Sequence, residues 1–176
     1  HAVLDEDGIA RSIYLYEGVG APVWQHFSQA VLNVAQRQES KNQFSRDTKP
    51  DKKTMFILAQ EDQRKVNFLG PPGHFSTISY VQVLNGEFEK GLFKNKIVMV
   101  GATASGMNDF LSTPVSGLGQ PMAGVEVHAN VLQSIRESSL IKQVSRAFSI
   151  LVLVCVALMP LLWLPKLPAL ASLMIT

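Results

Sequence analysis

The chain contains very little cysteine. Cys155 is the only cysteine among 176 residues, so the chain can form neither an internal disulfide nor a metal site built from several thiolates. The histidines do not replace them, since His1, His26 and His74 have no partner at metal-ligand spacing. We therefore predict that the chain holds no metal and no cofactor.

A strong charge of either sign is also missing. The formal net charge is +2, and the first 146 residues carry 15 Lys and Arg against 14 Asp and Glu. Such a balance lacks the basic footprint of a nucleic-acid-binding surface, so we predict no nucleic-acid partner. This length is sufficient for one domain with its own hydrophobic core.

The common enzyme motifs are absent from the sequence. No G-x-x-x-x-G-K-[ST] occurs, no G-x-G-x-x-G follows a strand, and residues 101–106 lack the G-x-S-x-G spacing. Glu126 and His128 are two residues apart, which places them about 200° apart around a helix. His128 instead shares a face with apolar residues, and we expect a core histidine with a buried hydrogen bond. The sequence thus predicts a segment that is not an enzyme.

The chain does contain a long apolar run over residues 147–164, AFSILVLVCVALMPLLWL, which carries no charge. As a helix it would be about 27 Å long, close to the hydrocarbon thickness of a bilayer. A buried core helix is the alternative, but such helices are usually polar on one face. Pro160 is compatible with a membrane helix. We predict a transmembrane helix at 147–164.

The apolar run also divides the chain into segments. Residues 1–140 form the predicted soluble domain, 141–146 a connector, and 169–176 the start of a second transmembrane helix. The chain begins with His1 rather than Met, and its second apolar run continues to the last residue. We therefore expect a piece of a longer protein, truncated at both ends.

Residues 1–140 alternate between strand and helix patterns. Residues 36–53 are polar and charged and predict an exposed loop. The predicted elements are a strand at Ile9–Tyr16, a helix opened by Pro22, short strands at Met55–Ala59 and Lys65–Leu69, a short helix at Ser79–Leu84, a buried strand at Ile97–Val100 and an amphipathic helix at 125–137. This order predicts an α/β fold, with a partly parallel central sheet and flanking helices.

The long connection from Gly101 to Gly124 follows the predicted buried strand and contains five glycines and two prolines. Ligands of open α/β sheets bind beyond the carboxyl ends of strands, and long irregular loops are often functional. The alternative is that the polar residues Asp109, Ser112 and Thr113 of this loop only cap turns. The predicted ligand-binding residues are Thr103, Ser105, Asn108, Asp109 and Thr113.

The sequence contains four distinctive blocks, D-x-D-G-x-x-R at 5–11, GPPGHF-x-x-ISY-x-x-VL at 70–84, KIV-x-VGATA at 96–104 and GVEVHANVL at 124–132, with Asp109 and Thr113-Pro114 between the last two. In this order they resemble the second type of CHASE domain, the cyclase- and histidine-kinase-associated sensory extracellular domain. The likeness covers roughly residues 1–140, and its most specific block is GVEVHANVL.

This resemblance implies an extracytoplasmic sensory domain followed by membrane helices and a cytoplasmic cyclase or kinase output. No binding residues can be transferred, because no ligand is established for the family as a whole. We therefore predict the signal-input domain of a bacterial transmembrane signalling protein in the inner membrane. Its expected partners are the lipid bilayer, an unknown small-molecule or envelope signal and, because such outputs work in pairs, a second copy of the protein.

Two other functions fit the sequence. One is a membrane-tethered envelope hydrolase that uses Ser105 or Asp109, and the other is an assembly domain without a ligand.

The basic residues around the apolar run favour the opposite membrane orientation. Arg136, Lys142 and Arg146 precede the run, and only Lys166 follows it, so the positive-inside rule places the domain in the cytoplasm. That rule weakens for long translocated domains. In the sensor interpretation, the helix at 125–137 passes its signal through a short connector into the helix at 147–164.

Overall fold

A computed structural model of the chain describes residues 2–36, 56–104, 106–107, 109–117 and 119–163. For residues 161–163 it describes the backbone only. The chain divides into two units, His1–Lys142 and Gln143–Thr176. The first unit contains, in chain order, β1 (Ala2–Leu4), β2 (Ala10–Val19), β3 (Trp24–Gln25), α1 (Phe27–Ala35), β4 (Leu58–Lys65), α2 (Tyr80–Leu84), β5 (Phe110–Leu111), β6 (Met122–Ala123), α3 (Gly124–Arg136) and β7 (Ile141–Lys142).

The main sheet has the strand order β1-β2-β4-β7, with β3 paired to β2. A tight turn connects β1 to β2, and Gly8 adopts a φ of 75° there. Arg11 closes this turn, because its guanidinium donates to Asp5 and Asp7 at 2.7–2.8 Å. The D-x-D-G-x-x-R block is therefore a structural hairpin closure.

Every strand pair of this sheet is antiparallel, so the predicted partly parallel sheet is wrong. A parallel sheet needs a strand that returns in the same direction after a crossover, and Ile97–Val100 was expected to supply one. This segment forms no strand, and Val100 is 80% exposed. Among the described residues, the parallel pairing is limited to an isolated bridge between Ile9 and Ser112.

One long strand replaces the two short strands predicted on either side of residue 60. β4 pairs with β2 from Lys65 opposite Ser12 to Leu58 opposite Val19. Its polar middle was expected to be a break, but β2 pairs with it on both sides of Asp62. Asp62, at a φ of 59°, accepts from Arg64 there.

The core lies where α3 covers the sheet. Ile13 of β2, Val66 after β4 and Val131 of α3 form its buried centre, with Leu15, Phe68, Ile135 and Leu140 packed around them. α3 confirms the predicted helix within one residue at each end. α1 is shorter than predicted, because residues 24–25 pair with β2 before the helix begins at Phe27.

The second unit contains α4 (Arg146–Trp163), which includes Pro160. Ser145 caps its first turn, since its hydroxyl accepts from the backbone N–H of Phe148 at 3.3 Å. Within the described part of the chain, no helix combines the length and the hydropathy needed to cross a membrane. The predicted segment at 169–176, and the predicted loop at 36–53 apart from its first residue, lie outside the described residues.

Candidate functional site

A cavity of about 250 Å³ lies in the first unit, between α1, α3 and the chain at 97–101. Most of the residues that line it are apolar, and the lining residues with polar side chains are Asp109 and His128. The residues that line it are Phe27, Val31, Ile97, Val98, Met99, Val100, Gly101, Asp109, Val125 and His128. A concave apolar site with a few convergent polar groups is the usual form of a small-molecule site.

The two helical walls are held together at their first turns. The hydroxyl of Ser28, which is fully buried, donates to the backbone oxygen of His128 at 3.1 Å. Phe27 and Val31 are one turn apart on α1, and Val125 lies one turn before His128 on α3. This spacing presents two side chains from each helix to the cavity.

Gly101 brings the third wall close to α3. A Cβ atom at this position would overlap the side chain of Val125. The absence of a side chain at Gly101 therefore lets residues 97–101 pass directly along the first turn of α3.

Asp109 reaches the cavity because of the two-stranded sheet that follows it. β5 and β6 pair in register, and the backbone N–H of Gly124 then donates to the backbone oxygen of Asp109 at 2.8 Å. The Asp109 carboxylate lies over Gly124, where a Cβ atom would overlap it. This is the amino-terminal end of α3, whose dipole favours a negative charge.

Two histidine rings lie side by side at the α1–α3 contact. The ring centroids of His26 and His128 are 5.7 Å apart, and the Phe27 ring meets the His128 ring edge-on at 5.5 Å. The Nδ1 atom of His26 accepts from the backbone N–H of Ser28 at 3.2 Å, which caps α1. This bond assigns the neutral tautomer of His26 with its proton on Nε2.

Burial makes both imidazoles harder to protonate. His26 is only 5% exposed, and this desolvation lowers its pKa to about 4. The pKa of His128 is lowered too, mainly by burial, although the Asp109 carboxylate acts in the opposite direction. Within the described residues, Nε2 of His26 and Nδ1 of His128 have no hydrogen-bond partner. The expected buried hydrogen bond of His128 is therefore not present in this part of the structure.

The predicted ligand-binding residues do not form one cluster. Asp109 lines the cavity, whereas Thr103 is exposed and does not line it. Thr113 is buried in a turn, where its hydroxyl and that of Ser116 are 2.8 Å apart. Ser105 and Asn108 lie outside the described residues. Ligand binding by any of these five residues stays a prediction.

The opposite face of α3 is a polar seam made by Glu126, Asn130 and Ser134. Glu126 accepts from the backbone N–H of Gly73 at 2.9 Å, and Asn130 accepts from Leu69 at 3.0 Å. Ser134 donates to the backbone oxygen of residue 67 at 2.9 Å. This seam fastens the chain at 67–73 to α3, so the polar part of the GVEVHANVL block is structural.

Metal binding has no support in the described part of the chain. No group of three or more His, Cys, Asp or Glu side chains there is arranged to hold an ion. The cavity therefore offers hydrogen bonding, one negative charge and apolar contact.

Comparison with protein families identifies one match. The family model described as "CHASE2 domain" matches residues 1–164. No curated protein and no solved structure matches the chain.

Proposed function

Because the chain belongs to the CHASE2 domain family, we propose that it is the extracytoplasmic signal-input domain of a bacterial transmembrane signalling protein and that it receives its signal in the cavity between α1 and α3. CHASE2 domains are extracellular sensory domains of signalling proteins and are not catalytic. The observation that carries the proposal is the cavity itself. It combines apolar walls with Asp109 and with a histidine whose pKa is shifted, and such groups concentrate at functional sites.

Membrane passage is the second part of the proposal. Residues 147–164 are uncharged and apolar apart from Ser149 and Pro160. A segment of this length and composition fits a bilayer as a helix. We propose that it anchors the domain in the bacterial inner membrane, that a cytoplasmic cyclase or kinase follows, and that the protein works as a homodimer.

The structure changes the expected route of the signal out of the domain. α3 ends at Arg136, and Ser138 turns the chain with a φ of 53°. Residues 141–142 then pair with β4, where Lys142 lies opposite Arg64. The chain between α3 and Lys142 is therefore a turn and a strand, whereas the sequence had predicted only that a short connector joins the two helices. We propose that the signal leaves the domain through β7.

A two-residue insertion tests this route in the full-length protein. Gly-Gly placed between Lys142 and Gln143 adds a flexible joint after β7 without removing a described hydrogen bond of the first unit. We expect signal-dependent output to disappear while the thermal stability of the domain is unchanged. The matched control is Gly-Gly inserted after Gly86, in an exposed turn. Normal signal-dependent output in the first variant would contradict transmission through β7.

A further inference from the structure

We infer that the cavity between α1 and α3 binds a small organic cation, a protonated amine on a short apolar body. This inference rests on the proposed sensory function and specifies the ligand class of the same site. Its starting point is the charge of the lining. Asp109 is the only charged side chain among the described lining residues, which include neither Lys nor Arg. An anionic ligand would meet this carboxylate without a compensating positive charge.

The Asp109 carboxylate is free to accept from a ligand. Within the described residues it has no hydrogen bond and no ion pair with a side chain. The backbone N–H of Gly124, the nearest helix donor, is already used by the backbone oxygen of Asp109. The dipole of α3 stabilises the charge in this position, but it does not occupy the oxygens. Their acceptor capacity therefore remains available at the cavity.

His128 lines the cavity too, but its Nδ1 atom is buried from solvent and has no partner among the described residues. The ammonium group of a ligand is therefore assigned to the Asp109 carboxylate alone, as a charge-assisted hydrogen bond.

The apolar walls determine the rest of the ligand. Phe27 and Val31 of α1, Ile97 and Val125 of α3 line the cavity on three sides. The volume of about 250 Å³ lies below the range of about 300–1,000 Å³ typical of drug-sized ligands. A single ring or a short alkyl chain that bears one ammonium group matches these limits.

Three probes of the same shape and different charge test the ligand class. They are benzylammonium, benzyl alcohol and benzoate, titrated at neutral pH into the full chain in lipid nanodiscs. The readout is the methyl NMR signals of Val31 and Val125, which report binding at the cavity itself. We expect benzylammonium to shift both signals below about 10 mM, where millimolar binding saturates. Benzyl alcohol should bind about tenfold more weakly, and benzoate should not bind.

Two variants assign the charge preference to Asp109. Asp109→Asn keeps the shape of the side chain and should weaken benzylammonium about tenfold, while the affinity for benzyl alcohol stays unchanged. That unchanged affinity also shows that the cavity is intact. Glu89→Gln removes one charge outside the lining and should leave both affinities unchanged.

The outcomes separate the ligand class from the sensory role. If benzyl alcohol or benzoate binds as tightly as benzylammonium, or if Asp109→Asn has no effect, the cation inference is overturned and the cavity remains a binding site. If none of the three probes shifts Val31 or Val125, the inference is overturned together with the cavity as a small-molecule site. Transmission through β7 is judged separately, by the Gly-Gly insertion.

Discussion

His26 should make the stability of the first unit depend on pH. Its ring is 5% exposed, and burial lowers its pKa from 6.5 to about 4. The neighbouring His128 ring acts in the same direction, and the Glu17 carboxylate of β2 acts against it. Because the folded-state pKa lies below the unfolded one, the unfolded chain binds the proton first as the pH falls. The stabilisation is therefore complete above pH 6.5 and is lost as the pH approaches 4.

The size of this effect follows from the shift. One pKa unit corresponds to about 1.4 kcal/mol, and integration of the proton linkage gives a fall of about 2 kcal/mol in the free energy of unfolding between pH 6.5 and 4.5. The His26→Asn variant removes the titration and keeps an acceptor for the Ser28 N–H, because asparagine is a good helix N-cap. The free energy of unfolding of this variant should therefore depend only weakly on pH over this interval, through the half-buried His128.

The assay is urea denaturation of the full chain in mild detergent at pH 7.5, 6.5, 5.5 and 4.5. The chain has two tryptophans, and replacing Trp163 by Phe in all samples leaves Trp24, two residues before His26, as the fluorescent reporter. His26→Ala is the matched control. It should also lose the pH dependence but be less stable at every pH by about 1 kcal/mol, the cost of a lost cap. Parallel pH dependences in the unsubstituted chain and His26→Asn would refute the assignment to His26.

Two further substitutions test the packing around α3. Asn130→Ala should lower the free energy of unfolding by about 2–3 kcal/mol in urea denaturation, because Asn130 is fully buried and its loss leaves the Leu69 N–H without an acceptor; an unchanged midpoint would contradict the polar seam. Gly124→Ala should lower the melting temperature although alanine favours helices by about 1 kcal/mol, since the new methyl group overlaps Asp109. Adding Asp109→Ala should restore it, and a failure of this rescue would show that the overlap is not the cause.

The sequence was sufficient for elements whose stability is local. α3 was predicted almost to the residue, because its apolar residues repeat with the helical period and cover the core through Val131. The start of α1 was misplaced, since Pro22 resembles a helix start but the pairing of Trp24 with Glu17 holds the chain extended. A single sequence contains no local signal for that long-range pairing.

The parallel sheet failed for a related reason. A run such as Ile97–Val100 indicates only that four apolar residues are adjacent, and the inference that both faces are covered depends on neighbours that periodicity does not show. The structure leaves Val98 52% exposed. β4 shows the converse, because its polar middle has no strand pattern and is held by pairing with β2.

The candidate site was predicted only in part. Asp109, which lines the cavity, was among the predicted ligand-binding residues because it lies in the long loop that follows the expected strand. Phe27 and Val31 lie at helical spacing on one face of α1, and Phe27 is 56% exposed and borders the cavity. Helical spacing groups such residues on one face correctly, but it does not tell whether that face meets a core or a cavity.

The two helical walls of the cavity are held with unequal strength, and this gives a direction to any movement that a ligand causes. α3 is fastened on one side by the polar seam and on the other by the buried Val131. α1 has only nine residues, and Ser28 and Leu32 are its buried ones. Because weakly packed elements open at the lowest cost, a ligand that enters the cavity should displace α1 before α3.

A displaced α1 would act directly on the sheet. It follows β3 after a single residue, and β3 is paired with β2 at Tyr16 and Glu17. β2 pairs with β4 from Ser12 to Val19, except at Leu15, and β4 pairs with β7, which ends at Lys142. A continuous set of backbone hydrogen bonds therefore joins the cavity to the residue where the first unit ends. This path, with α3 as its fixed support, is the physical reason to place the flexible insertion directly after Lys142.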